Sequence, residues 1–295
     1  MSTSPTLRLS FDTRAVNALA RRKYSSFVSR IPSRYFTRLN FLSVAEPVAT
    51  ENPGRRHRLF DLLNSLGQNG ECLLPPHWIA TNLIQNYERK GRSEWESLSL
   101  RFKICEEAIA CRDFTDEISI SEREFARVTC VKFISMFLPM RPELDELFAR
   151  GLNRPATADE LLAMLSGEGG AYWGIAALLY RAVARRLPTE DEIGAFVNEC
   201  PPFRALMLGL VHGQFEWAIR EPKIPEERRV GRVILFCAIY LPYWDLFVTN
   251  DREQRRCLAE IAAALNLGTK VIWFKKFVER LGPQEGFSRS HNASN

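Results

Sequence analysis

The sequence lacks the signatures of several common enzyme classes. Its 295 residues contain no GxSxG elbow, no GxxxxGK[ST] loop and no HExxH pair, which removes the usual serine-hydrolase, phosphate-loop and zinc-protease readings. No apolar run reaches the ~18 residues needed to span a bilayer. The opening MSTSPTLRLSFDT has no long apolar core of the kind a secretory signal carries. Cysteines stand at positions 72, 105, 111, 130, 200, 237 and 257, with no CxxC pair and no metal-finger spacing. Several lie in apolar runs such as VILFCAIY around Cys237, so they read as small buried residues of a reducing compartment. Histidine is scarce. His57 and His77 have no acidic or cysteine partner at a metal-binding spacing, and His212 in LMLGLVHGQFEWAI reads as a hydrogen-bonded core or boundary residue. Without a fixed repeat period, a solenoid is excluded. A cytoplasmic, well-packed chain is expected.

What is present is an α/β pattern. Hydrophobic residues make up 46% of the chain, ordinary for a buried core, and the net charge of +5 with a pI near 8.9 leans toward anionic partners. Arginine-rich faces are also commonly just solvated. The chain is organised around YLPYWDLFVTNDREQRRCLAEIAAALNL, residues 240–267. There a short apolar run, Leu246 to Val248, ends in Thr249, Asn250 and Asp251, and an amphipathic helix follows with Leu258, Ile261, Ala262 and Leu265 as its core stripe. This spacing delivers a carboxylate to the carboxyl end of a strand, where ligands collect in open parallel sheets. The opening of the chain repeats the arrangement: LRLSF (Leu7 to Phe11) reads as a strand, Asp12 follows, and DTRAVNALARR reads as a helix. Asp12 is at the same time a good helix N-cap. A second strand is expected at FLSVA, Phe41 to Ala45, ending on Glu46 and Pro47. The helix RRHRLFDLLNSLG follows, with Arg55, Arg56 and Arg58 at its amino end, where the helix dipole disfavours cations; a solvated turn accounts for them first, an anionic ligand second.

From Leu73 to about Pro222 the pattern is helical, with start signals at Ser121, Thr157 and Thr189, each followed by glutamate three residues later. Tyr172, Trp173, Phe215 and Trp217 read as core, with base stacking a distant second. A buried helix is expected over Val230 to Tyr240 and a last strand at KVIW, Lys270 to Trp273. The organisation expected is therefore residues 1–85 as the first part of a sheet core, 86–222 as a helical insertion, 223–281 as the second part of the core, and 282–295 as a disordered tail.

DTRAVNALA after the first strand, FLSVAEP after the second and DLFVTNDREQ after a late buried helix together resemble the PIN-domain nuclease family. The likeness covers roughly the first 80 and the last 70 residues, with order along the chain as its main content. It implies a three-layer PIN-like α/β core with a mostly parallel sheet, a large all-helical insertion, and a metal-dependent ribonuclease activity. By resemblance Asp12, Glu46 and Asp251 would be catalytic and hold Mg2+ or Mn2+, with Asp245 as a further metal ligand. Asn250 beside Asp251 also suits the family. Arg55, Arg56, Arg58, Arg252 and Arg255 would position RNA. The resemblance is compatible with an inhibitory protein partner and with a homodimer, and it implies no membrane.

The chemistry wants clustered carboxylates for a reason independent of any family. Phosphodiester hydrolysis needs an activated water and a neutralised phosphorane, and hard divalent ions that supply both take oxygen ligands. One departure bears on this. A further acid is expected near Arg232 or Val233, yet Val230 to Trp244 contains no carboxylate, the nearest being Glu226, Glu227 and Asp245. A catalytically degenerate relative that binds RNA or a protein is the alternative. A helical scaffold in which the acids are only caps is a third reading, and it requires Asp12, Glu46 and Asp251 to lie far apart.

Overall fold

A computed structural model describes residues 6–110, 160, 171–215 and 230–282. Five short strands form its centre: β1 (Arg8–Phe11), β2 (Phe36–Leu39), β3 (Gly70–Cys72), β4 (Leu246–Thr249) and β5 (Lys270–Trp273). All pair in parallel, in the order β3-β2-β1-β4-β5. The chain builds outward from β1 to β3, then returns to the other side of β1 with β4 and β5. Strand order therefore reverses between β1 and β4, which leaves a crevice at their carboxyl ends.

The helices of the first part are α1 (Thr13–Leu19), α2 (Ser25–Val28), α3 (Phe41–Ala49), α4 (Pro53–Gly67), α5 (Pro76–Lys90) and α6 (Lys103–Ala110). Next come α7 (Ala171–Ala184), α8 (Glu190–Glu199), α9 (Pro201–Phe215) and a 3-10 helix over Val230–Tyr243. After β4 follow α10 (Arg252–Ala264) and, beyond β5, α11 (Phe274–Leu281).

Strand alternation sorts these into layers. Leu9, Phe11, Leu39, Cys72, Leu246, Val248 and Ile272 share one core with α1, α4, α6 and α11. Phe247 and Leu73 share the other with α5, the helical region and α10. Burial on both faces explains why β4 is apolar rather than alternating. This is a three-layer α/β fold with a parallel sheet. Between α6 and β4, the described regular elements are all helical; the expected helix at 121–138 lies outside the described residues.

Tyr240, Trp244 and Phe247 join the helical region to the sheet. Their rings stack in sequence, with centroids 5.3 Å and 4.7 Å apart. Such pairs contribute ~0.5–1.5 kcal/mol each beyond the area they bury. Thr269 donates to the Trp244 carbonyl at 2.8 Å and fixes the turn before β5. At the far end, Arg30 and Arg34 donate to the Leu281 carbonyl, placing cations at the carboxyl end of α11 where its dipole favours them.

Two expectations are corrected. FLSVA is not a strand: Phe41–Ala49 is α3, with Asn40 as its N-cap and Pro47 inside it. The strand is the preceding Phe36–Leu39, whose half-buried Arg38, paired with Glu71, obscured the pattern in the sequence. A five-residue apolar run fits a buried strand or a buried helix turn equally well, and the cap decides. Nor was β3 expected. Its first residue must be glycine, because a Cβ at Gly70 would stand 2.1 Å from the Thr37 carbonyl oxygen of β2.

Cys72, Cys105, Cys200, Cys237 and Cys257 are buried free thiols, as expected, while positions 111 and 130 lie outside the described residues. Among the described residues no helix is long and apolar enough to cross a membrane.

Candidate active site

Asp12 follows β1 directly and Asp251 follows β4 by two residues, so adjacent parallel strands carry both acids to one edge of the sheet. That edge is the point where strand order reverses. Each acid caps the helix after it. Asp12 accepts from the Ala15 amide at 2.5 Å and Asp251 from the Gln254 amide at 2.9 Å. The capping reading of the sequence is thus realised, but without the separation that a pure scaffold requires.

Thr249 links the two. Its hydroxyl donates to Asp12 Oδ2 at 2.6 Å and accepts from the Asp251 amide at 2.9 Å. Gln254 Oε1 lies 2.9 Å from the same hydroxyl, whose single proton serves one of the two acceptors at a time, Asp12 being the nearer. The Asn250 amide also points at Asp12, at 3.4 Å. Asp12 is 5% exposed, and burial pushes its carboxyl up to about 6. The donors Thr249, Ala15 and Asn250 pull it back, and the neighbouring Asp251 charge adds to the rise. Asp251 differs in having a cation at hand: Arg14 Nη1 stands 2.7 Å from its Oδ2.

The end of β2 carries an amide where a carboxylate was expected. Asn40 donates to the Phe11 carbonyl at 2.8 Å, and Ser43 donates to the same oxygen at 2.6 Å. These two bonds dock the start of α3 against the end of β1. Glu46 therefore belongs to the second turn of α3 and not to a strand end. It stands three positions after Ser43 in that helix. Its side chain lies outside the described residues. Among the described residues, no three His, Cys, Asp or Glu side chains gather to hold a metal.

Asp245 is corrected outright. It sits before β4, at the amino edge, where it accepts from Arg8 N at 2.7 Å, Nε at 3.1 Å and Nη2 at 2.8 Å. The length of β1 separates it from Asp12, ~13 Å at ~3.3 Å per residue, so the two cannot share an ion. Arg56 is corrected as well: it is 3% exposed and donates to the Thr50 carbonyl at 2.9 Å, tying the α3–α4 junction rather than facing solvent. Arg55, Arg58, Arg252 and Arg255 are exposed. Arg55 bonds Asn17 of α1 at 2.8 Å, which leans the amino end of α4 toward the helix that Asp12 caps.

The residues not singled out in the sequence are Arg14, Asn40, Ser43 and Gln254. Asn40-x-x-Ser43 and Asp251-x-x-Gln254 are both N-cap patterns and could have been found as such. Arg14 carries no such signal. His212 is buried and bonds Glu260 at 3.0 Å, in keeping with a hydrogen-bonded core histidine. Comparison with protein families, curated proteins and solved structures finds no match.

Proposed function

We propose that the chain is a PIN-like metal-dependent ribonuclease whose site is the Asp12–Thr249–Asp251 cluster. The observation that carries this reading is the convergence of Asp12 and Asp251 on one threonine at the β1/β4 reversal. The donor set suits a hard divalent cation: carboxylate oxygens, with a guanidinium already standing as a cation against Asp251 Oδ2. Asp12 and Asp251 would hold Mg2+ or Mn2+, with Glu46 as the third donor.

Such an ion supplies an activated water and charge neutralisation for the phosphorane. The protein's own groups do the rest. Thr249, with the Ala15 and Asn250 amides, holds the Asp12 carboxylate in one orientation. Gln254 does the same for Asp251 through its amide. Arg55, Arg58, Arg252 and Arg255 would position the RNA backbone on both sides of the crevice. Because Asp12 takes up a proton near pH 6, cation and proton compete there, and affinity for the cation rises with pH through that value.

The test is hydrolysis of single-stranded RNA with Mn2+ by wild type, Asp12→Asn and Asp251→Asn. Loss of about a hundredfold or more in both variants is expected, ~3 kcal/mol of transition-state stabilisation. Equal rates would reject the metal roles. One observation favours a second reading, a degenerate protein that binds RNA without cutting it: Val230–Trp244 holds no carboxylate. Binding of RNA without Mn2+ uptake or cleavage would select it.

A further inference from the structure

The Arg14–Asp251 contact is unlike the Arg8–Asp245 ion pair at the opposite edge of the same two strands. At the amino edge, Arg8 holds Asp245 with its backbone amide and two guanidinium nitrogens. Arg14 meets Asp251 through Nη1, 2.7 Å from Oδ2. The two partners are also unequal. The Asp251 side chain is 13% exposed and fixed through Oδ1 by the Gln254 amide, whereas the Arg14 side chain is 63% exposed. The acid is enclosed and tethered, whereas the arginine side chain lies mostly in solvent. Arginine in the first turn of α1 gains nothing from the helix dipole, so Asp251 is what holds it there.

Oδ2 of Asp251 is the oxygen left over after capping, and it is the one a divalent ion would use. A guanidinium and a divalent cation repel and cannot both occupy that oxygen. Once displaced, Arg14 would stand at the mouth of the crevice with five donors unclaimed, suited to the two oxygens of a phosphodiester.

We propose that Arg14 is a displaceable counter-cation: it occupies Asp251 in the resting protein and transfers to a backbone phosphate when a divalent ion enters. The inference rests on the metal-dependent reading above. It deepens that reading by making ion and nucleic-acid strand load together. Whatever draws Arg14 away raises affinity for the ion, and the ion, by releasing Arg14, raises affinity for phosphate by the same factor.

The experiment is calorimetric titration of the full chain with Mn2+, alone and with a short single-stranded oligodeoxythymidylate. It compares wild type, Arg14→Ala, Arg14→Gln and Asp251→Asn. Without the oligonucleotide, Arg14→Ala and Arg14→Gln are expected to bind Mn2+ about tenfold more tightly than wild type, within the usual range of such couplings. The oligonucleotide should tighten Mn2+ binding to wild type and leave both Arg14 variants unchanged. Asp251→Asn should bind no Mn2+ in either condition. Two neutral replacements guard against one of them misfolding. If wild type and the Arg14 variants bind Mn2+ equally while Asp251→Asn does not, the counter-cation role is overturned and the metal site stands. If neither wild type nor the Arg14 variants take up Mn2+, the metal site itself is wrong and the counter-cation role falls with it.

Discussion

The two edges of the sheet use the same residue types between the same two strands and reach opposite results. At the amino edge, burial works against ionisation of Asp245, but the Arg8 hydrogen bonds and charge outweigh it and hold the carboxyl below its usual range. At the carboxyl edge, burial wins over three neutral donors and pushes Asp12 up to about 6. One edge is electrostatically finished. The other keeps a buried acid surrounded by hydrogen-bond donors but with no cation of its own among the described residues. The same strand pair thus neutralises its acid at one end and leaves a buried carboxyl with a raised pKa at the other.

The largest expected effect on stability comes from Asp12. A carboxyl moved from its ordinary value to about 6 carries a charge penalty of ~2–3 kcal/mol at neutral pH. The sign follows from linkage. The folded pKa is raised, so the stabilising share is fully present below the unfolded value of ~3.9 and is lost as pH rises through about 6. Metal-free Asp12→Asn, which can still cap α1, should therefore be more stable than wild type by ~1–3 kcal/mol at pH 7 and no more stable at pH 4. Urea unfolding at the two pH values measures this, and a destabilised Asn variant at pH 7 would break the contrast between the edges.

Asp245→Asn is the mirror test, smaller and opposite. It loses charge-assisted bonds that are partly open to solvent, so the expected cost is ~1 kcal/mol at pH 7. Since the folded pKa of Asp245 is lowered, its contribution is present above the unfolded ~3.9 and is lost as pH falls through the lower folded value. The variant should bind Mn2+ as wild type does. Weakened Mn2+ binding in Asp245→Asn would count against assigning the ion to the carboxyl edge.

This division was half legible in the sequence. Asp12 and Asp251 were readable because a strand, an acid and an amphipathic helix in succession fix both the edge and the direction. The parallel three-layer fold was expected from the PIN resemblance that these repeats carry, and the strand order matches it. Asp245 was misread because, one residue before a strand, position alone does not reveal a partner; Arg8 is 237 residues away and pairs with it only once β1 and β4 are adjacent. Arg56 was misread because its exposed neighbours Arg55 and Arg58 made a run of charge look like one surface. Glu46 was placed at a strand end because FLSVA has strand composition, and only the Asn40 cap reveals the helix. Arg14 was invisible because an ion pair between the starts of two helices has no local signature.

The smallest effect tests how the carboxyl edge is held in shape. Asn40 and Ser43 both donate to the Phe11 carbonyl, one residue before Asp12. Ser43→Ala removes one donor and leaves the acceptor satisfied by Asn40, so no buried group is stranded. The cost is therefore one net hydrogen bond, ~0.5–1 kcal/mol, read as a shift in the urea midpoint at constant slope. Asn40→Ala should cost somewhat more, because Asn40 also caps α3 through the Ser43 amide, adding ~1 kcal/mol. Neither residue touches Asp12 or Asp251, yet both set where α3 sits against β1. If the α3 face bearing Glu46 completes the ion site, both variants should weaken Mn2+ binding while Asp245→Asn, the costlier change to the opposite edge than Ser43→Ala, leaves it alone. Unchanged Mn2+ binding in both would remove Glu46 from the site and leave Asp12 and Asp251 as its two carboxylates.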